Sequence, residues 1–327
     1  MSGPISTRPR GALSGTTLGA YQLESLLGDG AMGEVYRARE RQTGHHVAVK
    51  VLIESKTQNP SVRERFEREW RVMQGISHPN VIALLDWPKH KQGVLYFAME
   101  LLDGETLYHR LEREKLPLDV AVTVFEQLAE ALSAVHAAGI VHRDVKPQNI
   151  FLSEDVSGKT RVKLLDFGLA RVAGSQITGS GLIVGTPAYV APEQASGDKV
   201  DERVDVYALG LVMYRVLTGQ HPFSSDDQVT TLGHQLLSPP PPLSWLDEDV
   251  PEALEALVLS MLRKRPEDRP QTMKEVLEAL SASERGESSF PVRLSNPPDD
   301  RYGPLNPLAE SLVRGALVSK GFRRKID

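Results

Sequence analysis

The sequence contains no cysteine among its 327 residues. Disulfide bonds, thiolate metal sites, iron–sulfur clusters and cysteine nucleophiles are therefore excluded. The N-terminal residues lack the apolar core of a signal peptide, and no run of about 18 apolar residues predicts a membrane span. We therefore expect a cytoplasmic protein without a membrane-spanning segment.

Basic side chains are also too few for a protein that coats nucleic acid. Lys and Arg together number 38 against 43 Asp and Glu, so the formal net charge is -5. This balance argues against nucleic acid as a partner. Hydrophobic residues make up 40% and charged residues 25% of the chain, which is typical of a folded globular protein.

Composition divides the chain into a polar N-terminal tail, a folded domain of two lobes, and a C-terminal linker and tail. The polar composition of both tails predicts disorder, although apolar residues at helical spacing over 305–317 predict a short amphipathic helix. Such a helix is typical either of a docking element or of a marginal tail helix. The three parts are residues 1–20, residues 21–282 (lobes 21–102 and 103–282) and residues 283–327.

The first lobe is expected to be a small antiparallel sheet with one helix packed on it. Ser61 and Glu64 approximate capping-box spacing, and apolar residues from Val62 to Met73 recur at helical spacing, which together predict the helix. Short runs rich in β-branched and aromatic residues predict the strands. These runs are residues 21–27, 35–39, 46–52, 81–87 and 94–99.

Helical periodicity dominates the second lobe, so the expected fold class is α+β. A strand-like run at 162–165 interrupts it just before Asp166. Four prolines after Ser238 are interpreted as a loop rather than a ligand for a proline-binding domain, and Trp245 after them is expected to pack. The predicted helices are residues 119–137, 204–217, 251–262 and 272–280.

Three glycines stand between two predicted strands in the segment Gly28-Asp29-Gly30-Ala31-Met32-Gly33-Glu34-Val35. Glycine lets a backbone turn approach phosphate oxygens, so the segment predicts a nucleotide-binding loop, although alone it is also typical of a plain glycine turn. A dinucleotide-binding loop of the Rossmann type would need a helix after Gly33, and the strand predicted over 35–39 argues against it.

Lys50 and Glu69 are a candidate charged pair beside that loop. Lys50 stands near the end of a predicted strand, where its ammonium group suits phosphate oxygens if a carboxylate holds it. Glu69 borders the apolar face of the predicted helix and is the candidate partner. Each residue alone is also typical of a solvated surface charge.

The strongest indication of catalysis comes from two segments. They are His142-Arg143-Asp144-Val145-Lys146-Pro147-Gln148-Asn149 and, later in the chain, Asp166-Phe167-Gly168. Asp144 is suited to accept a hydroxyl proton, and Lys146 to neutralise a transferring phosphoryl group. Asn149 and Asp166 offer hard oxygen ligands for Mg²⁺. Any one of these residues alone would be ordinary loop polarity, but together they predict phosphoryl transfer.

In this order and spacing the motifs resemble the eukaryotic-like (Hanks-type) serine/threonine protein kinases, in a bacterial style. The resemblance covers residues 21–280. It implies a bilobal protein kinase fold and transfer of the γ-phosphoryl group of ATP to Ser/Thr hydroxyls of proteins. It also implies Mg²⁺ as the cofactor, with Mn²⁺ as a substitute.

The resemblance assigns roles to individual residues. It gives Asp144, Lys146, Lys50 and Glu69 as catalytic, and Asn149 and Asp166 as metal ligands. The gatekeeper is expected at Met99 and an adenine-binding hinge at 100–102. The residues implied for ATP binding are Gly28, Gly30, Gly33, Val35, Ala48, Lys50, Met99, Glu100, Leu102 and Phe151.

Further residues acquire supporting roles by the same resemblance. Asp205 is expected to hold the catalytic-loop backbone, and Glu193 to pair with Arg269. Thr186 is expected to hydrogen-bond around Asp144 and Lys146. The resemblance also implies an activation segment over residues 166–193. A phosphate on this segment is expected to bind Arg143, and its candidate sites are Thr178, Ser180 and, more weakly, Ser175.

The sequence leaves two alternative functions open, and it does not decide whether the protein forms a homodimer. A pseudokinase scaffold would bind partners or nucleotide without transfer, but every position of the chemical template is filled. A small-molecule kinase would place phosphate on a metabolite, and the activation segment argues against it. Protein substrates and ATP are the expected partners, and a homodimer for trans-autophosphorylation is a further expectation.

Overall fold

The structure, a computed structural model, describes residues 9–30, 33–52, 70–71, 73–86, 89–91, 94–166, 187–223, 228–288 and 290. Several predictions concern positions outside these ranges and are not described further in structural terms. They are Glu69, Ser175, Thr178, Ser180, Thr186, residues 62–69 of the helix predicted in the first lobe, and the helix predicted over 305–317.

Within the described residues, the first lobe is a six-stranded antiparallel sheet in the order β1-β2-β3-β4-β6-β5. Its strands are β1 (Thr17–Leu18), β2 (Tyr21–Gly30), β3 (Gly33–Glu40), β4 (His46–Leu52), β5 (Lys89–Lys91) and β6 (Val94–Glu100). Trp70 and Met73, at the end of the predicted helix, are helical and buried. The Trp70 ring lies 4.3 Å from the Phe97 ring of β6, so the described end of this helix packs on the sheet as predicted.

The central strand β4 separates the two faces of the sheet. Successive side chains of a strand point to opposite faces. Val47, Val49 and Val51 therefore enter one buried apolar cluster, whereas Ala48 and Lys50 lie on the other face. That second face is turned toward the second lobe.

The expectation of a disordered tail through Ala20 is wrong for its second half. Residues 9–16 form hydrogen-bonded turns, and β1 pairs with the start of β2. Composition missed this because Leu13 and Leu18, two isolated apolar residues, supply the packing: Leu18 is buried and Leu13 lies against the same cluster.

The strand predicted over 81–87 is also wrong in most of its length. Its described residues form two single bridges, Val81 with Leu164 and Leu84 with Met99, to two different strands. The segment crosses between the lobes rather than running alongside one neighbour, so no ladder develops. Val81 and Ile82 are buried by this crossing, whereas Leu85 is 52% exposed, so the strand-like run of apolar residues does not correspond to one buried strand.

The second lobe is mainly helical, and the predicted α+β bilobal fold is confirmed. A three-stranded sheet, β7-β8-β9, lies at its junction with the first lobe. Its strands are β7 (Glu105–Thr106), β8 (Ile150–Glu154) and β9 (Thr160–Leu164). The helices in the described residues are α1 (Leu107–Arg113), α2 (Leu118–Ala137), α3 (Pro192–Ser196), α4 (Arg203–Thr218), α5 (Gln228–Leu237), α6 (Glu252–Met261) and α7 (Met273–Glu284).

Helix α4 is the centre of this lobe, and nearly all of its side chains are buried. Gly210 lets it approach α6 closely, because a Cβ at this position would meet the Cβ of Met261 at 2.9 Å. The N-terminus of α4 therefore has a fixed position, which matters because Asp205 lies there.

Trp245, expected to pack, is instead 76% exposed. The prolines before it form a loop, as interpreted, and lead into a 3₁₀ turn, Leu243–Trp245. Leu243 is fully buried and anchors this turn. With three residues per turn, the side chain two positions later points elsewhere, here to solvent.

A buried ion pair joins α3 to the loop before α7. Arg269 donates to both carboxylate oxygens of Glu193, at 2.7 and 2.8 Å, as predicted. Arg269 also donates to the backbone carbonyls of Arg263, Arg203 and Lys264. The guanidinium thus connects the end of the activation segment to the helical core.

Replacing Arg269 with Met should cost the fold about 3–5 kcal/mol of unfolding free energy, because Glu193 would be left buried without its partner. The matched control is Arg265→Met, which removes an exposed partner of Glu267 and should cost at most about 1 kcal/mol. Urea denaturation of both variants measures the difference. Equal losses in the two variants would contradict this account.

Candidate active site

The loop at 141–149 is shaped by the buried carboxylate of Asp205. Its Oδ2 accepts a hydrogen bond from the backbone N–H of His142 and its Oδ1 one from that of Arg143, each at 2.7 Å. The ring Nε2 of His136 lies 2.8 Å from Oδ2. The hydrogen bonds predicted for Asp205 are therefore present.

Arg143 adopts a left-handed backbone conformation, with φ of 64°. A non-glycine residue in this region costs about 1–3 kcal/mol and persists only where the surroundings enforce it. Here the bond from its N–H to Asp205 does so. The turn at Arg143 sets the direction in which the next residue, Asp144, leaves the backbone.

His142 joins this loop to the end of β9. The backbone N–H of Asp144 donates to its Nδ1 at 3.2 Å, so Nδ1 accepts and Nε2 carries the proton. Nε2 then donates to the carbonyl of Leu165 at 2.9 Å. A second link runs from the N–H of Leu165 to the carbonyl of Asn149, at 2.8 Å. Together these bonds place Asp166 beside the loop.

Asp144, Lys146 and Asn149 converge within the loop. The Lys146 ammonium donates to both carboxylate oxygens of Asp144, at 2.8 and 3.0 Å. The Asn149 amide donates to the carbonyl and to Oδ2 of Asp144, each at 2.8 Å. The Asp144 side chain remains 34% exposed, so a ligand can still approach it.

Lys50 forms an ion pair with Asp166 and thereby connects the two lobes. Burial alone would raise the pKa of the Asp166 carboxyl, but the adjacent Lys50 ammonium outweighs it, and the pKa is lowered. The Lys146 ammonium acts in the same direction. Asp166 is therefore an anion at neutral pH, as a metal ligand must be.

The residues implied for ATP binding on the sheet share one face. In an antiparallel pair, directly opposed residues lie on the same side. Val35 opposes Lys50, and Ala48 opposes Met99. Lys50 and Ala48 are two positions apart on β4, so all four side chains face the second lobe.

In the glycine-rich segment, Gly28, Asp29 and Gly30 of β2 oppose Val35, Glu34 and Gly33 of β3. These paired residues are called the glycine-rich hairpin. Gly33 has φ of 155°, and a Cβ there would lie 1.9 Å from the carbonyl oxygen of Val51. Gly33 therefore tolerates no larger residue. This sheet constraint explains one glycine without reference to a ligand.

On the opposite wall, Phe151 lies on β8 near the hinge. A Cβ on Gly104 would come within 3.1 Å of the Phe151 ring, so the ring lies close to the segment that follows Leu102. Leu102 itself is partly buried against the main core. The structure thus brings both residues to the junction of the lobes.

The side chain of Glu100 has a role that the sequence reading missed. Its Oε1 accepts hydrogen bonds from Lys163 Nζ at 2.6 Å and from the N–H of Ala83 at 2.7 Å. The backbone N–H of Glu100 donates to the carbonyl of Ala83 at 3.0 Å, so that group is not available to a ligand. Glu100 therefore fastens the hinge to β9.

A second set of residues that the sequence did not reveal supports the end of the activation segment. The carbonyl of Ala188 accepts hydrogen bonds from His221 Nε2, at 2.7 Å, and from Gln235 Nε2. Tyr207 donates to Gln235 Oε1 at 2.8 Å. Lys264, which is buried, donates to the carbonyl of Gln235 at 2.8 Å. Only the fold brings these distant positions together.

The donor set of the site fits a magnesium ion. The described residues contain no group of three or more His, Cys, Asp or Glu that could hold a metal alone. Mg²⁺ commonly uses one or two carboxylates together with substrate phosphates and waters. Asp166 would supply the carboxylate, and Asn149 turns its amide nitrogen toward Asp144, which leaves its amide oxygen for another partner.

Fold and site together define the protein kinase class. The protein kinase domain family matches residues 21–280, and the chain belongs to that family. The crystal structure of the Mycobacterium tuberculosis PknI kinase domain superposes with a TM-score of 0.65 at 30% identity, covering 82% of this chain and 98% of that one.

Curated relatives are bacterial proteins named serine/threonine-protein kinases. Pkn3 of Myxococcus xanthus is 38% identical over 288 residues, which are 84% of this chain and 52% of that protein. Pkn1 of the same organism is 41% identical over 273 residues, 83% and 39% of the two chains. PknB of Mycobacterium tuberculosis H37Rv is 39% identical over 274 residues, 82% and 43%. The chain spans about half or less of the length of these relatives.

None of the helices in the described ranges has the length and apolar character needed to cross a membrane.

The stability of the fold should depend on pH through His221, which donates to the Ala188 carbonyl. Burial lowers the pKa of His221 to about 4, against an ordinary value of about 6.5. The folded state thus favours the neutral ring. The resulting stabilisation is complete above about pH 6.5 and is lost as the pH falls toward 4.

His221→Phe keeps an aromatic ring beside Tyr189 and Phe223 but removes the titrating group. Between pH 7 and 4.5 its unfolding free energy should fall by about 2 kcal/mol less than that of the wild type. Urea denaturation at both pH values measures this. His45→Phe, at an exposed position, should keep the wild-type dependence. An identical loss in wild type and His221→Phe would refute the assignment.

Proposed function

We propose that the chain is an ATP-dependent serine/threonine protein kinase. The observation that carries this proposal is the loop in which Asp144, Lys146 and Asn149 converge beside the Lys50–Asp166 pair. Each group has the chemical type that phosphoryl transfer requires. The names of the bacterial relatives support the same activity, and no observation on the described residues favours a scaffold without catalysis.

Asp144 is the proposed acceptor for the proton of the attacking hydroxyl. Its carboxylate is held by Lys146 and Asn149, so it has a fixed direction before substrate binds. Such preorganisation removes the entropic cost of orienting the base during reaction. Lys146 then lies beside the position where negative charge spreads in the transition state, and stabilises it.

The pair of Lys50 and Asp166 organises the nucleotide side. In the ATP complex Lys50 is proposed to hold phosphate oxygens, since β4 places its ammonium on the face toward the second lobe. Asp166 and Asn149 are proposed to hold the metal, with Mg²⁺ preferred and Mn²⁺ as a substitute. When bound, the metal would neutralise phosphate charge. Glu69 is proposed to support Lys50 from the helix.

Hydroxyls of protein Ser and Thr residues are the proposed acceptors. Lys146 stands two residues after Asp144, and Gly185-Thr186 begins the closing stretch of the activation segment, a pattern that resembles serine/threonine rather than tyrosine kinases. Autophosphorylation at Thr178 or Ser180, in a transient homodimer, is the proposed activating step, with Arg143 as the group that binds the phosphate.

Asp144→Asn should abolish transfer while the fold is kept, because the amide cannot accept the proton. We expect a fall of at least about 100-fold in kcat, the lower range for general-base catalysis. The measurement is incubation with Mg-ATP and a Ser/Thr peptide library, followed by mass spectrometry of the peptides and of the protein.

Asp249→Asn is the matched control, since Asp249 is exposed in the loop before α6, and it should transfer phosphate at the wild-type rate. Phosphate on a small metabolite but on no protein or peptide hydroxyl would contradict the proposed substrate class. Unchanged transfer by Asp144→Asn would contradict the proposed mechanism.

A further inference from the structure

Residues 9–18, the N-terminal segment, are attached to the first lobe by both apolar and backbone contacts. Leu18 is buried, and Leu13 packs against the same cluster. The N–H of Gly15 donates to the carbonyl of Leu23, and the N–H of Leu23 donates back to Thr16, each at 2.9 Å. The segment is therefore part of the folded lobe.

The start of the segment reaches the glycine-rich hairpin. Arg10 forms an ion pair with Asp29, which lies between Gly28 and Gly30. One residue on, the N–H of Gly11 donates to Oε1 of Glu34 at 3.0 Å. Because Asp29 and Glu34 are opposed across the hairpin, the segment contacts both of its strands.

Glu34 is itself fixed from the other side. The hydroxyl of Tyr36 donates to Glu34 Oε2, and the N–H of Leu13 donates to that hydroxyl oxygen at 3.4 Å. The Tyr36 side chain is fully buried. The carboxylate of Glu34 thus connects a buried tyrosine of the sheet to the backbone of the N-terminal segment.

We propose that the N-terminal segment holds the glycine-rich hairpin in its nucleotide-binding position, so that Arg10 and Glu34 act as positioning residues for ATP. This inference rests on the proposed function, since ATP is taken as the ligand. A hairpin end rich in glycine has many accessible conformations. Apparent affinity falls in proportion to the fraction of molecules in the competent conformation. Contacts on both strands of the hairpin raise that fraction.

The test is direct titration of the protein with a fluorescent N-methylanthraniloyl derivative of ATP and Mg²⁺. Arg10→Ala should raise the dissociation constant by about two- to fivefold, the range that an exposed ion pair supports. Glu34→Ala should raise it further, because it also releases Gly11 and Tyr36. Arg10→Lys keeps the charge and should stay within about twofold of the wild type.

Arg39→Ala is the matched control. Arg39 is an exposed arginine of the same sheet that pairs with Glu24, away from the hairpin end, and its loss should leave nucleotide affinity unchanged. At about 1 M salt, where the Debye length is about 3 Å, wild type and Arg10→Ala should converge. Thermal unfolding of each variant shows whether the fold is kept. A purely structural role of Arg10 would lower the midpoint temperature of unfolding in Arg10→Ala without this salt dependence of the dissociation constant.

A double-mutant cycle isolates the contact. If Arg10 acts through Asp29, the combined effect of Arg10→Ala and Asp29→Ala on the dissociation constant will be smaller than the sum of the single effects in free energy. Unchanged or tighter binding in both Arg10→Ala and Glu34→Ala would overturn the inference. A wild type that binds nucleotide but transfers no phosphate would instead refute the proposed function and leave this comparison valid.

Discussion

The buried carboxylate of Asp205 is the contact on which the geometry of the candidate site depends. It accepts the backbone N–H groups of His142 and Arg143, and so enforces the left-handed turn from which Asp144 departs. Asp205 lies at the start of α4, whose side chains are almost entirely buried. The rigidity of the helical core is thereby transmitted to a loop that would otherwise be free to change conformation.

The rest of the site is assembled across the two lobes. His142 donates to Leu165, the residue before Asp166, and Asp166 meets Lys50 of the first lobe. Glu100 and Lys163 form a second link between the hinge and β9. Each link ends on a strand or on the loop held by Asp205. A shift of one lobe relative to the other would therefore change the positions of the catalytic groups.

Much of this arrangement could be predicted from the sequence, because short motifs report local chemistry. The segment from His142 to Asn149 identified the convergent loop, and the strand predicted over 46–52 placed Lys50 near its end. The supports of Ala188 could not be predicted, since His221 and Gln235 are distant in sequence and meet only at the Ala188 carbonyl. The ordered structure of residues 9–18 was missed because composition does not detect the packing of two single leucines, Leu13 and Leu18. The crossing at 81–84 was missed because its run of apolar residues is also typical of a strand.

The most direct test of this account is the activity of Asp205→Asn relative to its stability. The amide would present its NH₂ group to one of the two backbone N–H donors, so the loop should lose its turn while α4 stays intact. We predict a fall in kcat of at least about 100-fold, comparable to loss of a general base, with a cooperative unfolding transition retained at a cost of about 1–3 kcal/mol. Near-wild-type kcat in a folded Asp205→Asn variant would contradict the claim that this carboxylate shapes the site.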